Sequence, residues 1–159
     1  RPPANAEFVP DDWPPFWIAE LVDASVTAGG QVKTGGKSPA GVGAFYPATV
    51  LTVKNDNPIL TQEIFGPVAP IVITTSDEEA ISLANATEFG LIAYVYSADL
   101  KRAMKVAEAL ESGMVAINKG VISDPAAPFG GFKQSGLGRE GGFAGIEEFL
   151  ETKYIGVEI

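Results

Sequence analysis

Short apolar segments alternate with helix-forming segments along the middle of the chain, and this alternation restricts the fold more than any other feature of the sequence. Strand-like runs rich in β-branched and aromatic residues cover residues 68–75, 91–97 and 114–118. Helical patterns fill both intervals between them. This order predicts an α/β fold in which buried parallel strands are covered by helices on their faces.

The two intervening helices carry their own local signals. Ser76 followed by Glu79 fits a capping box that begins the first helix, which we expect to run to about residue 86. The second helix repeats apolar residues on one face and stops at Gly113: Leu100, Ala103, Ala107 and Leu110.

A further helix is predicted upstream, beginning at Phe16 and ending at Gly29-Gly30. Its apolar residues fall at helical spacing: Ile18, Leu21, Val22 and Val26. Short strands are expected at residues 31–34 and 47–54.

Three regions follow from these patterns. Residues 1–15 are Pro-rich and lack periodicity, so we expect an irregular arm. Residues 16–142 form part of the α/β domain. Residues 143–159 are expected to form a helix at about 144–152 and a closing strand, which requires a sheet edge as its partner.

The composition excludes several kinds of chemistry. The 159 residues contain neither cysteine nor histidine, so the chain itself has no thiolate nucleophile, disulfide or imidazole base, and we expect no metal site. The net charge of −9 disfavours nucleic acid as a partner. No segment approaches the roughly 18 apolar residues of a membrane helix, so no membrane partner is expected and the cytoplasm is the default compartment. Any chemistry must use carboxylates, amines, hydroxyls and backbone groups, or reactive groups on another piece of chain.

The hexapeptide "GLGREG" at residues 136–141 formally matches the dinucleotide-binding pattern G-x-G-x-x-G. That pattern requires a buried strand before its first glycine, and the preceding "FGGFKQS" is not one. We therefore interpret the match as accidental.

Polar side chains are concentrated in the Gly-rich segment that follows the last predicted strand. Such a loop is either a solvated surface segment or a functional one, and the pattern alone leaves both open. The residues concerned are Asn118, Ser123, Asp124, Lys133, Ser135, Arg139 and Glu140.

The stretch "QEIFGPVAPI" begins with a carboxylate and an aromatic residue, Glu63 and Phe65, on either side of Ile64. The Gly-Pro corner that follows suggests a turn holding both side chains in a fixed relation. By default, Glu63 would cap nearby backbone N–H groups, and Phe65 would be an aromatic residue of the core. Phe129 is likewise a core aromatic by default.

Four segments, "QEIFGPVAPI", "NATEFGLIAYVYS", "GMVAIN" and "APFGGFKQSGLGREGG", together resemble the C-terminal part of an aldehyde dehydrogenase in their order and spacing. The resemblance runs from about residue 18 to the end. "GVIS" and "ETKY" are most similar to the succinate-semialdehyde dehydrogenase branch. The resemblance implies a Rossmann-like parallel sheet with flanking helices, part of the catalytic domain, and a C-terminal oligomerisation strand.

The resemblance also implies roles for individual residues. Glu63 matches the glutamate that accepts hydrogen bonds from the nicotinamide-ribose hydroxyls, and Phe65 matches the aromatic residue packed beside that ribose. Phe129 matches an aromatic residue that lines the aldehyde pocket, and Ser123 a serine that binds the distal carboxylate of succinate semialdehyde. Glu140 matches a glutamate that relays protons to the general base.

The family's nucleophilic cysteine, general-base glutamate, oxyanion-hole asparagine and pyrophosphate-binding helix belong to the part of the enzyme upstream of the region it resembles. We therefore predict that the chain is roughly the last third of an aldehyde dehydrogenase that uses NAD or NADP and oxidises succinate semialdehyde. We also predict that it is inactive alone, and that it forms a homo-oligomer through its C-terminal strand or associates with the rest of the enzyme. The alternatives are a stand-alone non-catalytic module that associates with itself or with a dehydrogenase subunit, and a split enzyme whose cysteine lies on a separate polypeptide.

Overall fold

The computed structural model describes residues 6–8, 15–40 and 45–159, with the side chains of residues 6–8, 15 and 16 left out. The chain forms two compact units, Arg1–Thr75 and Ser76–Ile159. The first contains β1 (Ala6–Phe8), α1 (Pro15–Thr27), β2 (Gln31–Thr34), β3 (Phe45–Pro47), β4 (Thr49–Thr52), a 3₁₀ helix (Pro58–Thr61) and β5 (Val68–Ile71). The second contains α2 (Asp77–Asn85), β6 (Phe89–Gly90), β7 (Ile92–Val95), α3 (Leu100–Ala109), β8 (Met114–Ile117), β9 (Phe132–Lys133) and α4 (Ala144–Glu147).

Helix α1 provides much of the core of the first unit. Its apolar stripe is buried as predicted at Ile18, Leu21 and Val22, whereas Val26 is 43% exposed near the C-terminal end of the helix. Gly29 follows the helix with a φ of 93°, a left-handed conformation that glycine adopts without steric cost.

The first unit contains a three-stranded sheet with β4 in the middle. β4 pairs antiparallel with β2 and parallel with β5, while β1 pairs antiparallel with β3. The core of the first unit consists of two adjoining clusters of buried residues, and Ile64 and Val68 pack against both. The clusters are Ile18, Val22 and Tyr46, and Leu21, Leu51, Val53 and Ile59.

The second unit contains the predicted strand–helix–strand arrangement. β7 and β8 pair in parallel, and α3, whose Ala103 is fully buried, connects them. Ser76 begins α2 as predicted, since its Oγ accepts a hydrogen bond from the Glu79 N–H at 3.1 Å. β6 and β9 form a separate antiparallel pair.

The expectation of one parallel sheet through all three predicted strands is wrong. β5 pairs with β4 in one sheet and β7 pairs with β8 in another, and the first of these sheets is mixed. β5 is also not buried on both faces, because its residues alternate between half-buried and exposed and Ile73 beyond it is 78% exposed. An apolar run indicates a strand but does not specify its pairing partner, which depends on residues distant in sequence.

Both ends of the chain differ from the prediction. The expected irregular arm contains β1, and α1 begins at Pro15; residues 1–5 and 9–14 lie outside the described residues. At the other end, residues 151–159 are exposed and form no strand, and α4 is shorter than expected. A strand requires a hydrogen-bonded neighbour, and the described part of this chain pairs none with residues 151–159.

None of the helices in the described ranges is both long enough and apolar enough to cross a lipid bilayer.

Candidate active site

Glu63 and Phe65 lie in an irregular segment, residues 62–67, between the 3₁₀ helix and β5. Ile64 is directed into the first unit and packs against both core clusters. Glu63 is exposed and Phe65 is 66% exposed. The half-buried Ile64 thus faces the core, whereas Glu63 and Phe65 on either side of it face the surface. The core-aromatic interpretation of Phe65 is therefore wrong.

The Gly-Pro corner fixes this segment to the first unit. A Cβ added at Gly66 would lie 2.8 Å from Cδ1 of Ile18, so a larger residue here would require the Ile18 side chain or the segment to shift. The Pro67 carbonyl accepts a hydrogen bond from the Thr49 N–H at 2.8 Å. The close contact at Gly66 and the hydrogen bond to Pro67 therefore hold the segment that carries Glu63 and Phe65 in place, as the Gly-Pro corner suggested.

Phe129 and Glu140 are adjacent in the second unit. Their backbones exchange two hydrogen bonds in an antiparallel bridge, with N···O distances of 2.6 and 2.7 Å. Phe129 is half-buried and Glu140 is exposed, and both line a cavity of about 600 Å³. The structure therefore brings together an aromatic wall and a carboxylate, although ten residues separate them in the sequence.

Ser123 is exposed and is not among the residues that line this cavity. The segment that carries it is nevertheless ordered by local hydrogen bonds. The Asp124 carboxylate accepts one from the Ala126 N–H at 2.9 Å, and the Pro125 carbonyl accepts one from the Gly142 N–H at 3.0 Å.

Two other polar residues of the Gly-rich segment have a left-handed backbone conformation, which residues other than glycine rarely adopt. Asn118 has a φ of 52° and Lys133 a φ of 54°. The Asn118 side-chain amide accepts from the N–H of Ser97 at 2.9 Å and donates to its carbonyl at 2.8 Å. Lys133 donates to the Asn85 carbonyl at 2.8 Å and forms an ion pair with Glu111.

The segment is therefore more than a solvated loop, because its polar side chains bind backbone groups of Ser97, Asn85 and Gly90 outside it. The sequence pattern indicated Asn118, Lys133, Ser135 and Arg139 but no role for any of them. Ser135 Oγ accepts from the Gly90 N–H at 3.0 Å, and Arg139 donates to the Gly131 and Gly138 carbonyls at 3.0 and 2.6 Å. The contact between Ser135 and Gly90 joins residues distant in sequence and leaves no local signal. The "GLGREG" match remains a false one, because the two-residue strand β9 before it is exposed.

A model of the aldehyde dehydrogenase family matches residues 17–155, and the chain belongs to this family. Among curated relatives, it is 57% identical over 141 residues to the succinate-semialdehyde dehydrogenase of Paenarthrobacter nicotinovorans. This alignment covers 88% of this chain and 31% of that protein. It is 47% identical over 139 residues to the glutarate-semialdehyde dehydrogenase of Pseudomonas aeruginosa, covering 87% of this chain and 29% of that protein. The chain thus spans less than a third of the length of these relatives.

Solved structures give the same family. The succinate-semialdehyde dehydrogenase of Burkholderia pseudomallei superposes with a TM-score of 0.79 at 49% identity, covering 85% of this chain and 28% of that one. The succinic semialdehyde dehydrogenase of Streptococcus pyogenes, solved with NADP+, superposes with a TM-score of 0.81 at 37% identity, covering 89% of this chain and 32% of that one. The predicted family is confirmed, and the neighbours are consistent with the α/β class.

Proposed function

We propose that this chain supplies part of the active site of an aldehyde dehydrogenase that oxidises an aldehyde to a carboxylic acid with NAD or NADP, with succinate semialdehyde as its substrate. The observation that carries the proposal is the 57% identity to a succinate-semialdehyde dehydrogenase over 88% of the chain. The candidate residues lie within the matched range, residues 17–155.

Glu63 and Phe65 fit the ribose next to the nicotinamide ring of the cofactor. The exposed Glu63 carboxylate is an acceptor for sugar hydroxyls, and the exposed Phe65 ring offers an apolar face beside them. A hydrogen bond to a charged group contributes about 1.5–3 kcal/mol, which is enough to orient the ring but not to bind a dinucleotide alone. The bound nicotinamide would supply the acceptor for the hydride that leaves the aldehyde carbon.

Phe129, Ser123 and Glu140 are the proposed substrate-side residues. The half-buried Phe129 ring would line the aldehyde pocket, and the Ser123 hydroxyl would donate to the distal carboxylate of the substrate. The semialdehyde named for each curated relative described above carries such a distal carboxylate, which supports this substrate class. Glu140, adjacent to Phe129 through the bridge, would relay protons to the general base.

The chain alone is expected to be inactive. The family's reaction requires a cysteine thiolate, and the 159 residues contain no cysteine. Association with the rest of the enzyme or with another subunit would use the C-terminal residues 153–159, whose apolar side chains are largely exposed: Tyr154, Ile155, Val157 and Ile159.

The same exposed terminus supports a second candidate, a non-catalytic module that associates with itself or with a dehydrogenase subunit. The two candidates differ in whether the residues 17–155 can complete a working site.

A hybrid enzyme tests the proposal. Residues 17–155 replace the matching segment of the Paenarthrobacter nicotinovorans enzyme, and reduction of NAD+ and NADP+ is followed with succinate semialdehyde. We expect a rate within about tenfold of the parent enzyme. A folded hybrid whose rate falls below about a hundredth of the parent would reject the proposal and favour the non-catalytic module.

A further inference from the structure

We propose that Arg139 is a positioning residue that holds Phe129 and Glu140 in register with each other. The inference rests on the proposed function, because it gives Arg139 its role through those two candidate site residues. It begins from the Phe129–Glu140 bridge, which closes a loop of residues 130–139.

One nitrogen of Arg139 connects both arms of this loop. Nη1 donates to the Gly131 carbonyl on the outgoing arm at 3.0 Å and to the Gly138 carbonyl on the returning arm at 2.6 Å. The two arms cannot slide past each other without breaking one of these bonds, and hydrogen bonds to a charged donor are the stronger class. The register of the bridge therefore depends on the Arg139 side chain.

The rest of the loop is packed around that side chain. The guanidinium carbon lies 5.6 Å from the centroid of the Phe132 ring, within the range of a cation–π contact. A Cβ added at Gly130 would lie 2.7 Å from Cδ of Arg139. The backbone N–H of Arg139 also donates to the Glu148 carboxylate at 3.2 Å, which attaches the returning arm to the residue after α4.

These contacts favour positioning over ligand binding. Nη1 of Arg139 donates to two backbone carbonyls of its own loop, and the guanidinium lies beside the Phe132 ring, so these contacts engage the side chain within the loop. A lysine cannot replace Arg139, because a planar guanidinium holds donors in fixed directions and can stack on a ring, whereas an ammonium is a flexible point charge.

Amide hydrogen exchange in the 159-residue chain tests the geometry without any assay of activity. In Arg139→Lys we expect the Phe129 and Glu140 amides to exchange at least about tenfold faster than in the unchanged chain. Phe132→Leu, which keeps the guanidinium but removes the ring beneath it, should give a smaller increase of about threefold. The matched control is Arg102→Lys, which removes an exposed arginine paired with Asp77 and should leave both amides unchanged. Unaltered exchange at Phe129 and Glu140 in both loop variants would overturn the proposal.

Kinetics of the hybrid enzyme test the consequence for the site. Arg139→Lys should raise the KM for the aldehyde and lower kcat, each by about tenfold, with the KM for the dinucleotide unchanged. A merely structural role would reduce the amount of folded enzyme, lowering the apparent kcat alone, and that result would overturn the positioning role. If the unchanged hybrid is inactive, the proposed function fails, while the exchange experiment still decides whether Arg139 holds the bridge.

Discussion

Tyr46 is the largest side chain that is fully buried among the described residues, and its hydroxyl has no hydrogen-bond partner within that part of the chain. The ring contributes to the core cluster with Ile18 and Val22. A buried hydroxyl without a partner costs about 1–3 kcal/mol, so this side chain both stabilises and destabilises the first unit.

Replacing Tyr46 by phenylalanine should therefore stabilise the chain. We expect Tyr46→Phe to raise the free energy of unfolding in urea by about 1 kcal/mol, because the ring is kept and the unpaired hydroxyl is removed. A loss of stability of similar size would show that the hydroxyl has a partner in solution.

The same residue predicts a pH dependence. Burial raises the pKa of Tyr46 above the ordinary 10.0 and the Asp23 carboxylate adds to the shift, while the neighbouring Thr49 hydroxyl opposes it in part. The unfolded chain therefore releases this proton before the folded chain does, and the stability falls as the pH rises above about 10. The fall should be shallower in Tyr46→Phe, as measured by urea unfolding at several pH values.

Glu63→Gln tests the proposed cofactor contact. In the hybrid enzyme the amide keeps the size of the side chain but loses its charge, so we expect kcat/KM for the dinucleotide to fall by about 10- to 100-fold. Glu108→Gln, the same change at an exposed position on α3, is the control and should have no effect. Equal kinetics for both variants would remove Glu63 from the cofactor site.

At the scale of elements, the packing of residues 62–67 against α1 determines how Glu63 and Phe65 are presented. A methyl group at Gly66 would lie 2.8 Å from Cδ1 of Ile18, an atom that valine lacks. This contact can be tested by substitutions on both sides.

Gly66→Ala should destabilise the chain by about 1–3 kcal/mol through overpacking, and Ile18→Val by about 0.5–1.5 kcal/mol through the lost methylene. Together they should cost less than the sum, since the valine makes room for the added methyl group. Urea unfolding of the four proteins measures this coupling, and strict additivity would mean that the two residues do not touch in solution.

Elements with local signals were predictable from the sequence. Ser76 and Gly29 mark helix ends through their own side chain or backbone, and the structure confirms both. Sheet pairing was predictable only in part: the parallel pair of β7 and β8 is as expected, whereas β5, which looks similar in sequence, pairs with β4. Within this chain the predicted C-terminal strand does not form, because its alternating residues indicate a strand but do not supply a partner, and its pairing with another chain stays a prediction.

For the candidate site, the sequence indicated the residues but not what holds them. The family motifs pointed to Glu63, Phe65, Phe129 and Glu140. The bonds between Asn118 and Ser97 join positions that no short pattern connects, and the bonds of Arg139 lie within one motif whose letters do not reveal them. The positive φ of Asn118 and Lys133 likewise becomes visible only in three dimensions.

At the scale of the whole molecule, the two units bury apolar side chains unequally. Among the described residues, the buried apolar side chains of the second unit are Ala103, Met114 and Ala116, whereas the first unit buries the two larger clusters. Several aromatic residues of the second unit are almost fully exposed, including Phe143 at 93%.

We therefore expect the second unit to open more readily than the first. In native-state hydrogen exchange, amides of β4 should be protected at least about tenfold more than amides of β7, because local stability follows the buried apolar contacts. Equal protection of the two strands would show that the chain unfolds as one cooperative unit.

The central claim is that residues 17–155 form a working part of an aldehyde dehydrogenase site, and the rate of dinucleotide reduction with succinate semialdehyde tests it most directly. The rate is measured for the hybrid enzyme and for the 159-residue chain alone. We predict a hybrid rate within about tenfold of the parent and no reduction by the chain alone. A folded but inactive hybrid, or a chain that alone matches an intact enzyme, would contradict the account.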